Sequence, residues 1–169
     1  MVQGQSKEKT YNVHWYGPLD CEKLGDVEPT EFENCVLYLL CGTHGLYGRN
    51  VPLYIGKTER DIQTRIKEHS EWIDYEPDPV QVYWAAIAEM KSFSQLPDEY
   101  PAPNSAVVSD IENLLIYAHQ PVYNRQNKVT LVNAPMIRIL NTGRRSTLFP
   151  EISTLMYSDE QSSLDFVVG

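Results

Sequence analysis

Two apolar segments joined by a glycine-rich stretch constrain the fold of this chain more than any other feature. Residues 36–40 and 52–58 are rich in residues that favour a pleated, half-buried surface. Residues 41–50, between them, contain three glycines and one asparagine and are predicted to form a loop. Because this connection is too short for a crossover helix, the two segments are predicted to pair as an antiparallel β-hairpin.

Each strand of this hairpin carries one tyrosine. Side chains alternate between the two faces of a strand, so Tyr38 shares a face with Leu40 and Tyr54 shares one with Gly56. If the strand register places both tyrosines on the same face, two phenol hydroxyls lie side by side. Paired hydroxyls are uncommon in a core, so the pair is a candidate site.

A helix is predicted over residues 58–69, with a capping residue and an acidic first turn. Ile62 and Ile66 form its inward-facing stripe. Arg65 and His69 have the same spacing and share a neighbouring face. A guanidinium and an imidazole therefore project from a helix that begins where the second tyrosine strand ends, although most such side chains are simply solvated.

A second helix is predicted around Glu112. Its core face consists of apolar residues at helical spacing, namely Ile111, Leu114, Leu115 and Ala118. Glu112 lies beside this face, and Pro121 ends the helix. Asn124 follows shortly after.

In their order along the chain, these features resemble the GIY-YIG nuclease family. That family combines a tyrosine strand, a Tyr-Ile-Gly strand, a helix with Arg and His four residues apart, and a later helix with Glu followed by Asn. The matching positions here are Tyr38, Tyr54, Arg65, His69, Glu112 and Asn124, and the resemblance covers about residues 35–127. The sequence departs from the pattern at Val36, where the family has a glycine, and in the longer loop between the tyrosines.

The first-motif tyrosine has an alternative. Gly45-Leu46-Tyr47 spells the motif better than Val36-Leu37-Tyr38. However, the spacing from Tyr47 to Tyr54 is too short for two strands and a turn. Tyr38 is therefore preferred, and Tyr47 is retained as the alternative.

The resemblance implies an α/β (α+β) fold with a small central antiparallel three-stranded sheet flanked by helices, and extra C-terminal strands. We expect one domain over residues 1–169, made of the core 35–127, an N-terminal extension 1–34, a C-terminal elaboration 128–157 and a loose tail 158–169. The third strand is predicted over 80–89, and 93–105 is predicted to be a proline-containing loop. Further short elements are expected at 11–16 (a strand stopped by Gly17-Pro18), 129–132, 136–140, 141–145 (a turn) and 152–156 (a helix or strand).

The resemblance also implies a divalent-metal-dependent endonuclease that hydrolyses phosphodiester bonds in DNA. Glu112 is then the ligand of Mg²⁺ or Mn²⁺, because a carboxylate is a hard oxygen donor. Tyr38 positions or deprotonates the attacking water, and the fork of Arg65 suits a phosphate. Supporting roles fall to Tyr54 (orienting water or phosphate), Lys57 and His69 (perturbing the pKa of Tyr38 or relaying a proton) and Asn124 (holding the Glu112 helix to the sheet).

The charge distribution gives a mixed indication. The net charge of −9 argues against phosphate binding if the chain is taken as a whole. Residues 113–150, however, contain no Asp or Glu. The cations of this region, Arg125, Lys128, Arg138, Arg144 and Arg145, are predicted to bind nucleic acid in a basic groove on an acidic body, unless the pattern is chance.

The remaining expectations concern partners and compartment. No segment approaches the ~18 apolar residues of a membrane span, and Cys21, Cys35 and Cys41 lack metal-ligand spacing, so they are expected to be reduced thiols in a cytoplasmic protein. DNA is the expected partner, RNA is an alternative, no membrane is involved, and a homodimer stays open. The competing hypotheses are a nuclease-like module that binds nucleic acid or protein with little or no catalysis, and an acidic protein-interaction domain.

Overall fold

Six strands and three α-helices make up the described part of this computed structural model, which covers residues 8–131 and 134–157. The strands are β1 (Lys9–Asp20), β2 (Leu37–His44), β3 (Gly48–Lys57), β4 (Gln81–Glu89), β5 (Ile137–Gly143) and β6 (Glu151–Ser153). The helices are α1 (Ile62–Lys67), α2 (Ser70–Ile73) and α3 (Ser105–His119), with 3₁₀ helices at Cys21–Asp26 and Pro29–Phe32.

The strands form one mixed sheet in the order β3-β2-β4-β1-β5-β6. The mixed α/β class is therefore confirmed, but the sheet has six strands rather than the predicted three. The difference arises at β1, which pairs antiparallel with β4 and parallel with β5. Tyr11, Val13 and Trp15 of β1 are buried, so this strand is a central part of the core.

The prediction that the first strand stops at Gly17-Pro18 is wrong. β1 continues to Asp20 because its register with β4 shifts between Tyr16 and Leu19, which accommodates the two residues as an irregularity. Gly17 has a φ of 103°, and a Cβ there would lie 2.8 Å from the carbonyl oxygen of Val82. Glycine is needed at this position for both reasons.

The predicted hairpin forms, but its predicted loop over 41–50 is wrong. β2 continues to His44 and β3 begins at Gly48, which leaves a short turn between them. Register shifts after Leu40 and after Gly42 absorb the glycines of this stretch inside the paired strands. Positive φ angles at Gly48 and Asn50 complete the turn end of β3.

The sheet is covered on both faces. On one face α3 packs against residues of β1, β2 and β3, with Ile111, Leu114 and Leu115 buried. On the other face α1 and the 3₁₀ helices pack against Tyr38, Leu40, Leu53 and Trp84. Burial on two faces explains why β2 and β4 read as nearly continuous apolar runs.

The helices differ from prediction mainly at their ends. α1 begins at Ile62, not at residue 58, because the Asp61 side chain caps it by accepting a hydrogen bond from the Thr64 N–H (2.8 Å). It also ends before His69, which lies in the turn that leads into α2. The helix around Glu112 is confirmed; it begins at Ser105 and is followed by Gln120 in the left-handed region (φ 50°).

The predictions for the later part of the chain are met in part. The strands expected at 80–89 and 136–140 are confirmed as β4 and β5, and 93–104 has no helix or strand. Residues 129–131 do not form the expected strand, and residue 132 lies outside the described residues. The turn predicted at 141–145 begins only after Gly143, because the buried Asn141 side chain accepts a hydrogen bond from Trp15 Nε1 (2.9 Å) and stays in β5.

Residues 152–156 divide between β6 and a short helical turn, and the predicted tail 158–169 lies outside the described residues. All three cysteines are free, and burial raises the pKa of each thiol to about 12, which makes them poor nucleophiles. No helix in the described part of the chain is long and apolar enough to cross a membrane.

A half-buried histidine at the end of α3 makes stability depend on pH. Nδ1 of His119 lies 2.9 Å from the Leu115 carbonyl oxygen, and Nε2 accepts the Phe149 N–H at 2.8 Å. Burial lowers the pKa of His119, so the folded state binds fewer protons than the unfolded state. This contribution is fully present above the unfolded pKa of about 6.5 and is lost as the pH falls below it.

We therefore expect the free energy of unfolding, measured by urea titration, to decrease between pH 7 and pH 5. His119→Gln can still accept from Phe149 without titrating, so this variant should have a shallower pH dependence. Some dependence will remain, because burial also lowers the pKa of His69. His44→Gln, in the hairpin, is the control. An unchanged pH dependence in His119→Gln would show that this interpretation is wrong.

Candidate active site

Tyr38, Tyr54 and His69 form an aromatic cluster on the face of β2 and β3 that α1 covers. In the hairpin register Tyr38 lies opposite Gly56 and Leu40 opposite Tyr54, so the two tyrosines share a face, which the sequence had left open. Their ring centroids are 5.9 Å apart and stacked, and the His69 ring lies 4.5 Å from that of Tyr54. The Tyr38 hydroxyl is 2.8 Å from Nε2 of His69.

Gly56 creates the space for this cluster. A Cβ at Gly56 would overlap the hydroxyl end of Tyr38 and lie 2.7 Å from Cε1 of Tyr54. The rigid rings cannot withdraw easily, because Tyr38 is fully buried. The glycine of the Tyr-Ile-Gly strand is therefore required by close packing and not by an unusual backbone angle.

The protonation states of Tyr38 and His69 are complementary. Burial, followed by the proximity of Tyr54, raises the pKa of Tyr38 against the opposing charge of Arg65, so its hydroxyl keeps the proton. Burial, and then Arg65, lowers the pKa of His69, so the ring is neutral near pH 7. Tyr38 accordingly donates its hydroxyl hydrogen to the unprotonated Nε2 of His69.

Arg65 borders the cluster from α1. Its guanidinium pairs with Glu68, and Glu68 also accepts from Nη2 of Arg60 at 2.9 Å. The positive charge of Arg65 acts on Tyr38 and on Glu112, where it opposes the rise in pKa that burial causes. Sequence reasoning missed Glu68, although its spacing from Arg65 on a helix was a usable signal.

Glu112 approaches from α3, on the opposite face of the sheet. Nζ of Lys57, at the end of β3, lies 3.6 Å from Oε2 of Glu112 and also contacts the Ser109 hydroxyl. The Glu112 side chain is only 14% exposed, and burial raises its pKa against the opposing effects of Lys57 and Arg65. Since β3 is an edge strand, groups from both layers meet beside it.

The donor set of this site has a single carboxylate. Among residues 8–131 and 134–157, no group of three or more Asp, Glu, His or Cys side chains is placed to hold a metal ion. A cage of protein ligands such as a structural zinc site would need one. Mg²⁺, in contrast, is often held by one or two carboxylates, waters and substrate phosphate, and the buried Glu112 oxygens suit that mode.

Asn124 has the position of a structural clamp. Its Oδ1 accepts from the Ile55 N–H and its Nδ2 donates to the Ile55 carbonyl, both at 2.9 Å. Backbone bonds from Val122 to Pro52 and from Tyr123 to Leu53 continue the contact along β3. The outer edge of β3 is thereby paired, which fixes the strand that carries Tyr54 and Lys57.

An open groove of about 360 Å³ borders the cluster, and its lining includes Tyr54, Glu112, Tyr123, Arg125 and Asn127. A second groove of about 210 Å³ shares Arg125 and Asn127 and adds Lys128. Arg125 is exposed and forms no ion pair in the part of the chain that is described. Nζ of Lys128 donates to the Pro121 carbonyl at 2.6 Å.

The other predicted nucleic-acid contacts lie elsewhere. Arg138 is on β5 and pairs with Glu8 (3.0 Å) and with Glu151. Because strands are about 4.8 Å apart, β5 is on the order of 20 Å from β3. Arg144 and Arg145 follow β5 in a segment whose Ser146 donates to Asn50 of β3, and Arg145 donates to the Leu148 carbonyl, but neither arginine lines the two grooves described above. The five predicted cations therefore do not form one groove with the cluster.

The alternative tyrosine, Tyr47, is also distant. It lies in the turn between β2 and β3, 72% exposed, with its ring stacked on His44 at 4.9 Å. At about 3.3 Å per residue, the hairpin turn is roughly 20 Å from Tyr38. Of the two tyrosines, Tyr38 is the one that contacts Tyr54 and His69.

The chain matches no family model, no curated protein and no solved structure. The GIY-YIG resemblance therefore stays a prediction, based on the order of the matching residues along the chain.

The packing at Gly56 can be tested by stability. Gly56→Ala would push Tyr38 away from His69, and overpacking of this kind typically costs about 1–3 kcal/mol in the free energy of unfolding. Gly45→Ala is the matched control, since a Cβ there meets no atom within 4 Å. Equal unfolding free energies for the two variants in urea titrations would contradict the packing described here.

Proposed function

We propose that the protein is a GIY-YIG-type endonuclease that hydrolyses DNA with the help of a divalent metal ion. The observation that carries the proposal is that six polar or aromatic side chains lie close together beside β3. They come from five parts of the chain: β2, β3, α1, α3 and the turn before α2. These side chains are Tyr38, Tyr54, Lys57, Arg65, His69 and Glu112. Packing alone does not require a buried carboxylate and a guanidinium next to a tyrosine–histidine pair.

The tyrosine–histidine pair suits a proton relay. With its hydrogen directed at Nε2 of His69, the Tyr38 oxygen keeps lone pairs that can accept a hydrogen bond, and because Tyr38 is fully buried, a water can reach this oxygen only when substrate binding opens the cluster. As that water attacks phosphorus, its proton passes to Tyr38 while the Tyr38 proton passes to His69. His69 is then the final proton acceptor, because the raised pKa of Tyr38 disfavours a tyrosinate and the lowered pKa of His69 leaves its ring unprotonated before the reaction.

Cations stabilise the charge that develops on the phosphate. Arg65 offers a planar fork for two phosphate oxygens, and its pairing with Glu68 holds the guanidinium beside the cluster. Lys57 lies near enough to Glu112 to neutralise it in the free protein and to turn toward phosphate when substrate binds. Tyr54, a half-buried member of the cluster, would orient water or phosphate.

Glu112 would hold Mg²⁺ or Mn²⁺ through its carboxylate, with waters and substrate phosphate as the other ligands. Such an ion, when bound, supplies charge stabilisation for the phosphate and the leaving oxygen. The reduced state of the three cysteines fits a cytoplasmic location, which we propose on that basis.

A binding module without catalysis is the second candidate. The Lys57–Glu112 contact favours it, because this ion pair already satisfies the carboxylate without a metal ion. The net charge of −9 disfavours phosphate binding and so favours a protein as the partner of such a module. A protein that binds DNA with a steep salt dependence but never cuts it would fit this alternative.

Nicking of supercoiled plasmid in Mg²⁺ or Mn²⁺ distinguishes the two candidates. We expect Glu112→Gln and Tyr38→Phe each to lower the nicking rate by at least about 100-fold, since a ligand or a proton-transfer group is lost. Exposed residues provide matched controls in Glu71→Gln and Tyr75→Phe. Binding without cutting of plasmid, branched DNA or RNA would favour the module, and full activity of Glu112→Gln would place the site elsewhere.

The relay also predicts a pH profile. Activity requires neutral His69, and its pKa lies below the usual 6.5, so the nicking rate should be constant from about pH 7 upward and fall as the pH drops below about 6.5. Because Arg65 lowers this pKa, Arg65→Gln should move the His69 titration to higher pH. NMR titration of the His69 ring measures this shift without any need for activity. A pKa that is unchanged in Arg65→Gln would contradict the described electrostatics.

A further inference from the structure

The groove next to the cluster has an aromatic wall that phosphodiester hydrolysis does not require. Tyr123 is 40% exposed and lines this groove together with Tyr54 and Glu112. A groove of about 360 Å³ is at the small end of the range for pockets that take one small ligand. A nucleotide held there would lie next to Tyr54 and Glu112.

Tyr123 is held rigidly from behind. Its hydroxyl donates to Glu76, and Trp72 packs against its ring with centroids 4.6 Å apart at an interplanar angle of 43°. Its backbone N–H donates to the Leu53 carbonyl at 2.8 Å, which anchors it to β3. A ring fixed in this way loses little conformational entropy on binding a flat partner, so it is a good stacking platform.

The charges around the groove suit a nucleotide. Arg125 lines it, is exposed and forms no ion pair with any described residue, so its charge is available to a phosphate. Gln126, which also lines the groove, carries an amide group that can meet the edge of a base, whereas the Asn127 amide donates to Oδ1 of Asn113 at 2.7 Å. Aromatic rings beside a cation are the combination that binds single-stranded nucleic acid.

We propose that this groove binds one unpaired nucleobase of the DNA substrate, stacked on Tyr123, with Arg125 at the adjoining phosphate. The inference rests on the proposed function for the identity of the substrate as DNA. A base inside a duplex is stacked on both sides, so only an unpaired or extruded base can reach Tyr123. The substrate class is therefore DNA with an unpaired nucleotide beside the cut, such as a single strand, a flap or a frayed end.

The test uses single-stranded oligonucleotides that carry 2-aminopurine at successive positions, mixed with the protein in EDTA so that no cutting occurs. Stacking on Tyr123 should quench the fluorescence at one position. Tyr123→Leu should remove this quenching and weaken binding of the strand by about tenfold. Tyr123→Phe, which loses only the contact with Glu76, should retain both.

Two further variants complete the design. Tyr75→Leu removes an exposed tyrosine that does not line the groove and should leave quenching and affinity unchanged. Arg125→Gln should weaken binding and reduce its salt dependence while the quenching stays. Thermal melts of each variant show that it is folded. If Tyr123→Leu quenches and binds as the native protein does, or if no position is quenched, the inference is overturned.

Cutting assays separate this inference from the proposed function. If the native protein shows the quenching but never cuts, the endonuclease proposal fails and the base-binding groove stands. If it cuts flapped and fully paired DNA equally, and Tyr123→Leu does not change that ratio, the groove proposal fails and the endonuclease stands. A preference for flapped DNA that Tyr123→Leu abolishes supports both.

Discussion

The fully buried ring of Tyr38 is the constraint on which the rest of the site depends. A buried hydroxyl is costly unless it has a hydrogen-bond partner, and here the partner is Nε2 of His69. The ring also crosses Gly56, where no larger residue fits without displacing it. The buried ring of Tyr38 therefore requires a glycine at position 56, opposite it in the sheet. It also determines the position of His69, which lies beyond the end of α1.

The second organising feature is that β3 lies at the edge of the sheet. An edge strand can be approached from both layers, so Arg65 from α1 and Glu112 from α3 act on the same tyrosine although opposite faces carry them. Residues 122–124 pair with the outer side of β3, which protects the edge and places Tyr123 and Arg125 beside the cluster. The cluster and the groove are therefore both positioned by β3.

Local patterns allowed much of the fold to be predicted. Continuous apolar runs identified β2, β3, β4 and β5, and apolar residues at helical spacing identified α3. Both patterns arise because residues on the buried faces of strands and helices are apolar. The patterns did not reveal that β1 lies between β4 and β5, since strand pairing depends on contacts between distant residues. They also misplaced the hairpin turn and the start of α1, where bulges and the Asp61 cap decide the boundaries.

The sequence by itself determined which side chains are available and in what order: two tyrosines on one hairpin, Arg65 and His69 after it, and Glu112 and Asn124 on and beyond a later helix. Only the tertiary structure decided that Tyr38 binds His69, that Lys57 meets Glu112, and that Arg138 is neutralised by Glu8 and Glu151 while Arg125 is left unpaired by the described residues. The physical reason is that spacing along a chain fixes the face on which a side chain lies. Its partner, its burial and hence its pKa depend on which distant segments fold against that face.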